Sequence, residues 1–477
     1  MTTPWPHQIE ARDLAIANPG FLLSHGMGSG KTYTTVLIID KLNLQRILIF
    51  CPKSVIQTWV DEFEKHLPGK YKIFAPNKGT VTKKSEQVLE FMRDQYRWKN
   101  PAIVVLNYEA AWRSPMGPDY EKNKLVNKGV LMSIPWEMVV ADECHRLASP
   151  KSNISWFATR IGAQIERRIG LTGTVLPNNA LNAYAQYRFL DPRVFGKSFT
   201  LFKKKYAVMG GYENKQFLGL KREMEADFHC KLYSIAHHVK VDDVIQLPDV
   251  QHLTREAVLE PAGRKIYDQL QADFVAKVGT GEISATNAMV KLLRLQQIAG
   301  GYAQPDDGIP GVIVDNEKIL VAKELFEDIP IDEPVVVFCV FRNEIIRLRQ
   351  AAESTGRTTG ELSGKRNDLA EWKRGELNTL IVQMRSGGVG IDLSRSRYCI
   401  YFSTGFSLGD YEQSLARTRR PGAKLNKKIF YYHIVAKDTV DEKVFTAIQK
   451  KKKAVDYILD DIKQTFAPRN QQQERAA

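Results

Sequence analysis

The sequence has few cysteines and no long apolar run. Its five cysteines are scattered without a C-x-x-C pair, so neither a disulfide framework nor a zinc module is indicated. The longest apolar stretches, such as residues 335–341, are far shorter than the ~20 residues that span a bilayer. No HExxH stretch occurs, and the opening residues MTTPWPHQIEARD lack the apolar region of a signal peptide. We therefore expect no membrane association and a cytoplasmic chain, or a nuclear one in a eukaryote.

The composition that is present describes a globular protein with an excess of positive charge. Its 477 residues are too many for one core and fit two domains. Hydrophobic residues make up 43% of the chain, and the formal net charge is +14. Such an excess favours an acidic partner, of which nucleic acid is the simplest, although solubility alone would also account for it.

Short apolar runs alternate with amphipathic segments along the chain. Val55, Trp59, Phe63 and Leu67 recur every four residues and predict one face of a helix. The apolar runs are continuous rather than alternating, as in parallel strands buried between helices. They lie at 46–52, 102–108, 136–143, 167–174, 334–341, 378–384, 398–404 and 428–435. The sequence therefore predicts an α/β fold with two lobes of parallel sheet flanked by helices.

The spacing of these runs sets the expected domains. We predict a first lobe at 1–196 and a second lobe at 316–455. Between them, 197–315 reads as a mostly helical linker or insertion with basic clusters such as FKKKY. The tail, 456–477, ends in the polar stretch RNQQQERAA, for which we expect disorder.

The stretch SHGMGSGKTYTT has most features of a phosphate-binding loop. The spacing G-x-x-x-x-G-K-[ST] would place glycine where His25 stands, but an apolar strand precedes the loop and a helix pattern follows it. Its glycines would let backbone N–H groups close on phosphates, Lys31 would neutralise them, and Thr32 would bind Mg²⁺. The alternative is a glycine-rich turn that binds nothing. The predicted cradle comprises His25, Gly26, Met27, Gly28, Ser29, Gly30, Lys31 and Thr32.

A second motif, VVADECHRL, places Asp142 and Glu143 at the end of a buried strand. Two adjacent buried carboxylates are costly without a charged partner. In a phosphoryl-transfer site the first would hold Mg²⁺ and the second would polarise the attacking water. A helix-capping Asp-Glu pair is the alternative reading.

Further motifs follow in a recognisable order: LTGTVLPNN, SGGVGIDL and QSLARTRRPG. With GMGSGKT and DECH, this order resembles superfamily 2 helicases. More narrowly, CPKSVIQTWVDEFEKH and ADECHRLASPKS resemble the Swi/Snf-type DNA translocases. The stretch IVAKDTVDEKVFTAIQKKK resembles the brace that closes the second lobe in that family. The resemblance runs from PWPHQ to about residue 455 and implies two RecA-like lobes, with helical insertions between and within them and a C-terminal brace helix.

The resemblance also implies roles for residues around the nucleotide. Gln8 matches the glutamine that reads adenine, which implies ATP rather than GTP. Gly390 and Asp392 lie in the motif that contacts the nucleotide from the second lobe. Thr172 and Thr174 match the motif that couples hydrolysis to movement.

Other matched positions concern catalysis and nucleic acid. Gln413, Arg417 and Arg420 match the Q-x-x-x-R-x-x-R pattern, whose arginines reach the γ-phosphate across the cleft. Lys53 and Ser54 match positions that contact the nucleic-acid backbone, with a solvated surface lysine as the alternative for Lys53.

The sequence departs from the family pattern at several positions. An acidic residue is usual where His25 stands, and a threonine that touches DNA is often found where Met384 stands. His237 and His238 replace arginines. They do not indicate a metal site, because neighbours on a helix or strand do not share a face.

These features predict an ATP-dependent DNA translocase, using ATP and Mg²⁺, that moves along duplex or branched DNA without sequence specificity. The alternatives are a strand-separating or branched-DNA-remodelling helicase of the same superfamily, and a nucleic-acid-binding scaffold that does not hydrolyse ATP. The chain has no recognisable targeting domains, which favours a bacterial or viral setting. Its protein partners are not indicated.

Overall fold

The computed structural model of the chain describes residues 3–76, 78–121, 124–173, 175–176, 179–210, 216–244, 246–279, 285–303, 312–384, 391–420 and 428–450. They form two compact units that divide between Gln246 and Leu247. The division falls inside the segment 197–315, whose described residues form strands as well as helices.

The first unit is built on a parallel sheet. Its strands are β1 Gly20–His25, β2 Arg46–Cys51, β3 Lys72–Phe74, β4 Ala102–Asn107, β5 Asp119–Glu121, β6 Lys124–Asn127, β7 Met138–Asp142, β8 Arg167–Thr172, β9 Ala207–Gly210, β10 Gln216–Leu220 and β11 Ala236–Val239. Seven of them form the sheet, in the order β11-β1-β8-β7-β2-β4-β3. The remaining strands form the antiparallel pairs β5–β6 and β9–β10.

Helices cover both faces of this sheet. They are α1 Pro6–Ala17, α2 Lys31–Leu42, α3 Ile56–His66, α4 Val81–Trp98, α5 Tyr108–Ala111, α6 Val130–Ser133, α7 Asn153–Gly162, α8 Asn182–Leu190, α9 Pro192–Phe195, α10 Phe199–Tyr206, α11 Glu225–Tyr233 and α12 Val241–Val244. Successive residues of β2 illustrate the two faces. Leu48 and Phe50 pack with α4, α7 and α8, whereas Ile47 and Ile49 pack with α1, α2 and α3.

The second unit repeats this plan with six parallel strands. Its strands are β12 Val250–Ala257, β13 Tyr302–Ala303, β14 Val312–Ile313, β15 Val335–Cys339, β16 Thr359–Leu362, β17 Thr379–Gln383, β18 Tyr398–Tyr401 and β19 Ile429–Ala436. The sheet order is β12-β19-β18-β15-β17-β16, and β13 pairs with β14. The helices are α13 Pro261–Gly279, α14 Ala285–Ala299, α15 Glu317–Asp328, α16 Arg342–Ser354, α17 Leu369–Arg374, α18 Leu408–Thr418 and α19 Val440–Gln449.

The core of the second unit alternates in the same way. Val336 and Phe338 of β15 face one hydrophobic cluster, and Val335 and Val337 face the other. Both faces of the sheet are therefore buried, which explains why the sequences of its strands are continuous apolar runs.

These elements confirm the predicted fold class. Each of the eight apolar runs overlaps one strand, with ends that agree within a few residues, and the period-four pattern coincides with α3. The predicted brace stretch contains α19. In the part of the chain that the structure describes, no helix has the length and apolarity needed to cross a bilayer.

Candidate functional site

The predicted phosphate loop lies between β1 and α2, at the carboxyl edge of the first unit's sheet. Gly28 and Gly30 have φ values of 83° and 80°, in the left-handed region that side chains with a Cβ rarely adopt. A Cβ on Gly30 would also come within 2.2 Å of the Gln8 Nε2 atom. The loop therefore requires glycine at this position for two independent reasons.

Hydrogen bonds within the unit hold the loop closed. The Ser29 Oγ donates to the carbonyl oxygen of Gly26 at 2.7 Å, and the Gly26 N–H donates to Val239 of β11 at 2.9 Å. The Lys31 Nζ donates to the carbonyl oxygens of His25 and Gly26 at 3.0 and 3.3 Å. The ammonium group thus lies against the loop backbone at the start of α2, as a phosphate cradle requires.

Helix α1 buttresses the loop from the side. The Gln8 Nε2 donates to the Ser29 carbonyl oxygen at 3.1 Å, and the His7 Nε2 lies 3.0 Å from the same oxygen. The Gln8 Oε1 accepts from the Trp5 N–H at 2.9 Å. Gln8 is therefore bound to the predicted cradle, and its assignment to adenine stays a prediction.

His25 occupies a buried position that the motif assigns to glycine. Strand β11 runs parallel to β1, and the His237 Nδ1 lies 2.9 Å from the His25 Nε2. His238 instead bonds the Ser24 Oγ at 2.9 Å, so the two neighbouring histidines engage different residues of β1. Burial, followed by the charges of His237 and Lys31, lowers the pKa of His25 to about 3. Among the described residues there is no group of three or more His, Cys, Asp or Glu side chains that could hold a metal ion.

The carboxylate pair lies where β7 ends. The Asp142 Oδ2 accepts from the Trp59 Nε1 at 3.0 Å and its Oδ1 from the Glu143 N–H at 2.9 Å. Burial and the neighbouring Glu143 raise the pKa of Asp142 to about 7. A cation would stabilise the ionised form of Asp142, and Thr32, at the start of α2 on the same edge of the sheet, carries a second hard oxygen. The residues therefore fit a Mg²⁺ ion.

Glu143 has a backbone conformation that is rare for its residue type. Its φ and ψ are 53° and 51°, and such strain persists where the surroundings impose it, often at functional sites. The His145 Nδ1 lies 3.2 Å from the Glu143 Oε2 and 3.2 Å from the Thr172 Oγ1. Burial opposes ionisation of Glu143, but the bond from His145 and the charge of Lys31 outweigh it and lower its pKa.

A linkage from Thr172 through His145 to Glu143 connects the LTGT motif with the DECH motif. It exists because β8 pairs with β7, which brings the end of the LTGT motif beside the DECH motif. Sequence analysis gave His145 no role, although it stands in the quoted DECH stretch. Thr174, the second predicted coupling residue, lies outside the described residues.

Lys53 and Ser54 are exposed in a single 3-10 turn, Lys53–Val55, that follows β2. They lie on the carboxyl edge of the sheet, the same edge as the phosphate loop. Burial and the charge of Lys53 lower the pKa of Lys84 in α4. Two lysines are therefore neighbours here, and the sequence analysis missed Lys84.

The second unit carries the predicted arginines on and just beyond α18. Arg417 is buried, its Nη1 atom makes no hydrogen bond within the described residues, and burial lowers its pKa to about 10. The Arg420 Nη1 donates to the Ile391 carbonyl oxygen at 2.9 Å. A buried guanidinium donor without an acceptor is costly, so this cluster fits an anionic ligand.

The segment that begins at Ile391 packs against the same helix end. The Leu393 N–H donates to the Arg417 carbonyl oxygen at 2.9 Å, and the Asp392 Oδ1 accepts from the Ser394 N–H at 2.9 Å. The structure thus brings Asp392 close to the two arginines. Gln413 lies half-buried on α18. Gly390, assigned to the same motif, lies outside the described residues.

Comparisons with known proteins match two domain families to the chain. Residues 11–300 match the SNF2-related domain, and residues 317–422 match the helicase conserved C-terminal domain. The protein p41 of Acyrthosiphon pisum secondary endosymbiont phage 1 is 24% identical over 92% of this chain and 94% of its own length. The uncharacterized ATP-dependent helicase YqhH of Bacillus subtilis is 24% identical over 94% of this chain and 78% of its own length.

Larger relatives match over a part of their length. The chromatin structure-remodeling complex subunit snf21 of Schizosaccharomyces pombe is 24% identical over 90% of this chain. The chain spans 37% of that protein. What the two have in common is therefore the region of the two matched domains.

Proposed function

The chain belongs to the SNF2-related family, and on this premise we propose that it is an ATP-driven motor that moves along duplex DNA without sequence preference. As a member with both the SNF2-related and the helicase C-terminal domains, it is a DNA-dependent ATPase of the helicase class. Movement along DNA, and the remodelling of DNA or displacement of bound protein that would follow from it, are the proposal.

The observation that carries the proposal is the contact of Glu143 with Thr172 through His145. A carboxylate that only capped a helix would not need a strained backbone and a second motif bonded to it. Through this linkage a change in the LTGT motif would alter the surroundings of Glu143, the group that orients the attacking water. This linkage supports an active ATPase rather than a scaffold that binds nucleotide without hydrolysis.

In this proposal the chain's own groups have distinct tasks. The loop backbone and Lys31 bind the β- and γ-phosphates, and Gln8 contacts adenine. Thr32 and Asp142 would hold Mg²⁺, which supplies positive charge at the phosphates. Glu143, kept ionised by His145 and Lys31, accepts the proton of the attacking water.

The arginines of the second unit supply the remaining charge in the working cycle. Arg417 and Arg420 would meet charge that develops on the γ-phosphate, a contribution that can reach about 10³-fold in rate. Their engagement and release with each ATP would make the two units alternate their grip on DNA. The exposed Lys53 and Ser54 would contact the DNA backbone, with Lys84 as a neighbouring cation.

Phosphate release measured with duplex, single-stranded and forked DNA, and with RNA, tests this function. We expect stimulation by duplex DNA of any sequence. The logarithm of the DNA-binding constant should fall linearly with the logarithm of salt concentration, with slope about −0.9 per phosphate neutralised. Stimulation by RNA alone, or no stimulation at low salt, would contradict the proposal.

A second measurement separates movement from strand separation. A triplex-displacement substrate reports movement along an intact duplex, and a forked substrate with a labelled strand reports unwinding. The proposal requires ATP-dependent triplex displacement. Unwinding of the fork without triplex displacement would instead identify a strand-separating helicase.

A further inference from the structure

The carboxyl-terminal end of α4 carries exposed aromatic and basic side chains, which we call the α4 patch: Arg93, Tyr96, Arg97, Trp98 and Lys99. Tyr96 and Trp98 are 75% and 67% exposed, the two largest values among the exposed large apolar side chains of the described residues. The Arg97 guanidinium carbon lies 5.4 Å from the Trp98 ring centroid. Aromatic and basic residues alternate directly at this helix end.

A recess of about 730 Å³ adjoins the patch. Four patch residues line it together with apolar neighbours. The basic and aromatic lining is Arg93, Tyr96, Arg97 and Lys99, and the apolar lining includes Leu89, Met92, Ile134 and Pro135. The recess therefore combines an apolar surface of a size that admits a planar ring with an edge of positive charge.

The patch lies far from the predicted motor site of the same unit. Arg46 and Ala102, which begin β2 and β4, also line the recess. Lys53 and Ser54 follow the other end of β2, a strand of six residues that at about 3.3 Å per residue is about 20 Å long. The α4 patch thus lies at the amino edge of the sheet, opposite the phosphate loop.

The basic side chains of the patch have no carboxylate partner among the described residues. In the stretches that the structure describes, no carboxylate forms an ion pair with Arg93, Arg97 or Lys99. Arg93 and Arg97 are four residues apart on one helix face, a spacing at which like charges repel, and Tyr96 lies on the same face. Arg97 in the last turn favours the helix, but the exposed rings of Tyr96 and Trp98 contribute little to the core, so the composition of the patch indicates a ligand with negative charge and flat apolar groups.

We propose that the α4 patch binds single-stranded nucleic acid, with bases stacked on Tyr96 and Trp98 and phosphates contacted by Arg93, Arg97 and Lys99. Stacking on an aromatic side chain stabilises a bound base whatever its identity, so it needs no particular sequence. A duplex buries its base faces in its own stack and could use only the charges. The recess beside Tyr96 favours a base over an acidic peptide or a membrane surface. This site goes beyond the proposed duplex motor and does not depend on it.

Quenching of intrinsic tryptophan fluorescence by a short oligothymidylate tests the site in the full chain. Trp98→Phe keeps a stacking ring and removes the reporter, so the quench that it abolishes belongs to the patch. Fluorescence anisotropy of a labelled oligothymidylate, which does not depend on Trp98, measures affinity, and we expect Tyr96→Ala with Trp98→Ala to weaken binding about tenfold or more. Tyr96→Phe with Trp98→Phe is the matched control and should bind as wild type. Both residues are exposed, so the variants should fold, which melting curves check.

The same titration distinguishes the sources and the competing ligands. DNA and RNA oligonucleotides of equal length show which sugar is preferred, and binding of either supports the proposal. Equal affinity for an abasic strand would overturn it, because charge alone would then suffice. Patch-dependent binding of an acidic peptide or of anionic vesicles, with none of the oligonucleotide, would also overturn it. Duplex-stimulated ATP turnover should be unchanged in the alanine variant, which separates this test from that of the motor.

Discussion

The two units share one architecture but differ in how their candidate site residues are satisfied. In the first unit, Lys31 bonds the loop backbone and Asp142 and Glu143 each accept hydrogen bonds from neighbours. In the second unit, Arg417 is buried with a donor that makes no hydrogen bond among the described residues. The lysine and the two carboxylates of the first unit are therefore paired within that unit, whereas the second unit holds a buried guanidinium donor that a bound ligand would satisfy.

This difference indicates a division of labour. A preorganised site can bind nucleotide and position water at little reorganisation cost. A buried arginine with an unsatisfied donor stabilises the transition state more than the ground state, because negative charge develops in the transition state. We therefore expect first-unit substitutions to change binding or chemistry, and second-unit arginine substitutions to change chemistry alone.

The largest effect is expected at Glu143. Glu143→Gln keeps the side-chain shape but loses the charge that accepts a proton, so turnover should fall about 10³-fold while ATP affinity is retained. Lys31→Ala should weaken ATP binding as well. Single-turnover hydrolysis and equilibrium nucleotide binding measure the two quantities. Glu109→Gln, an exposed carboxylate of the same unit paired with Arg146, is the control, and turnover near wild type in Glu143→Gln would rule out its catalytic assignment.

The next effect tests the second unit. Arg420→Ala should lower turnover about 10²-fold, or ~3 kcal/mol in the transition state, with ATP affinity nearly unchanged. Arg420→Lys should not restore activity, because a point charge cannot replace the planar guanidinium. The lost bond to Ile391 should reduce the free energy of unfolding by about 1 kcal/mol.

Arg374 provides the matched control for that experiment. It is an exposed arginine of the second unit, paired with Glu376, and Arg374→Ala should leave turnover unchanged. If Arg420→Ala lowered the melting temperature strongly and left kcat intact, Arg420 would be a structural arginine and the division of labour would fail.

A smaller effect is expected at His145, a positioning residue that acts through Glu143. His145→Ala removes the group between Thr172 and Glu143 and should lower kcat about tenfold, the equivalent of one hydrogen bond to a charged group. KM for ATP should change little, which a purely structural loss would not produce. His145→Gln can still donate to Glu143 and should retain more activity. An unchanged kcat in His145→Ala would show that the linkage is not used.

The smallest expected effect concerns acid stability and compares one buried histidine in each unit. Burial lowers the pKa of His25 in the first unit and of His433 in the second to about 3. The unfolded chain protonates both histidines as the pH falls below about 6.5, whereas the folded chain keeps them neutral until the pH approaches about 3. Stability is therefore full above about pH 6.5 and falls with acidification, by up to about 1.4 kcal/mol per pH unit for each histidine.

Melting temperatures followed from about pH 7 to about pH 5 measure this dependence. His25→Gln and His433→Gln should each flatten this dependence, and the slope with pH is compared rather than the starting stability. His229→Gln, at an exposed position, is the control and should leave the slope as it is. Equal slopes in all variants would contradict the assignment of the two buried histidines.

Much of the site follows from local patterns in the sequence. The strand before the phosphate loop, the glycines that give it left-handed turns, and the carboxylates at the end of β7 are encoded within short stretches. Asp142 and Glu143 could be placed on a strand end because a continuous apolar run precedes them. Local rules suffice there, since backbone conformation and burial of one strand depend on neighbouring residues.

Other features depend on which strands become neighbours. His25 looks like a departure from the motif until β11 pairs with β1 and brings His237 within hydrogen-bond distance, across more than two hundred residues of sequence. His145 acquires its link to Thr172 because β8 lies beside β7. The order of strands in a parallel sheet is decided by crossover connections and core packing, which no short stretch records.

The sequence by itself determined the two parallel α/β units, the phosphate loop, the carboxylate pair and the arginine motif, because each is written in a local period or spacing. Only the tertiary structure decided which of those pieces contact one another. It bonded Gln8 to the loop, placed His145 against Glu143, left an Arg417 donor buried without an acceptor among the described residues, and brought four of the five α4 patch residues to a recess. Contacts between residues that are remote in sequence form when apolar faces pack against one another, and that packing depends on the whole unit.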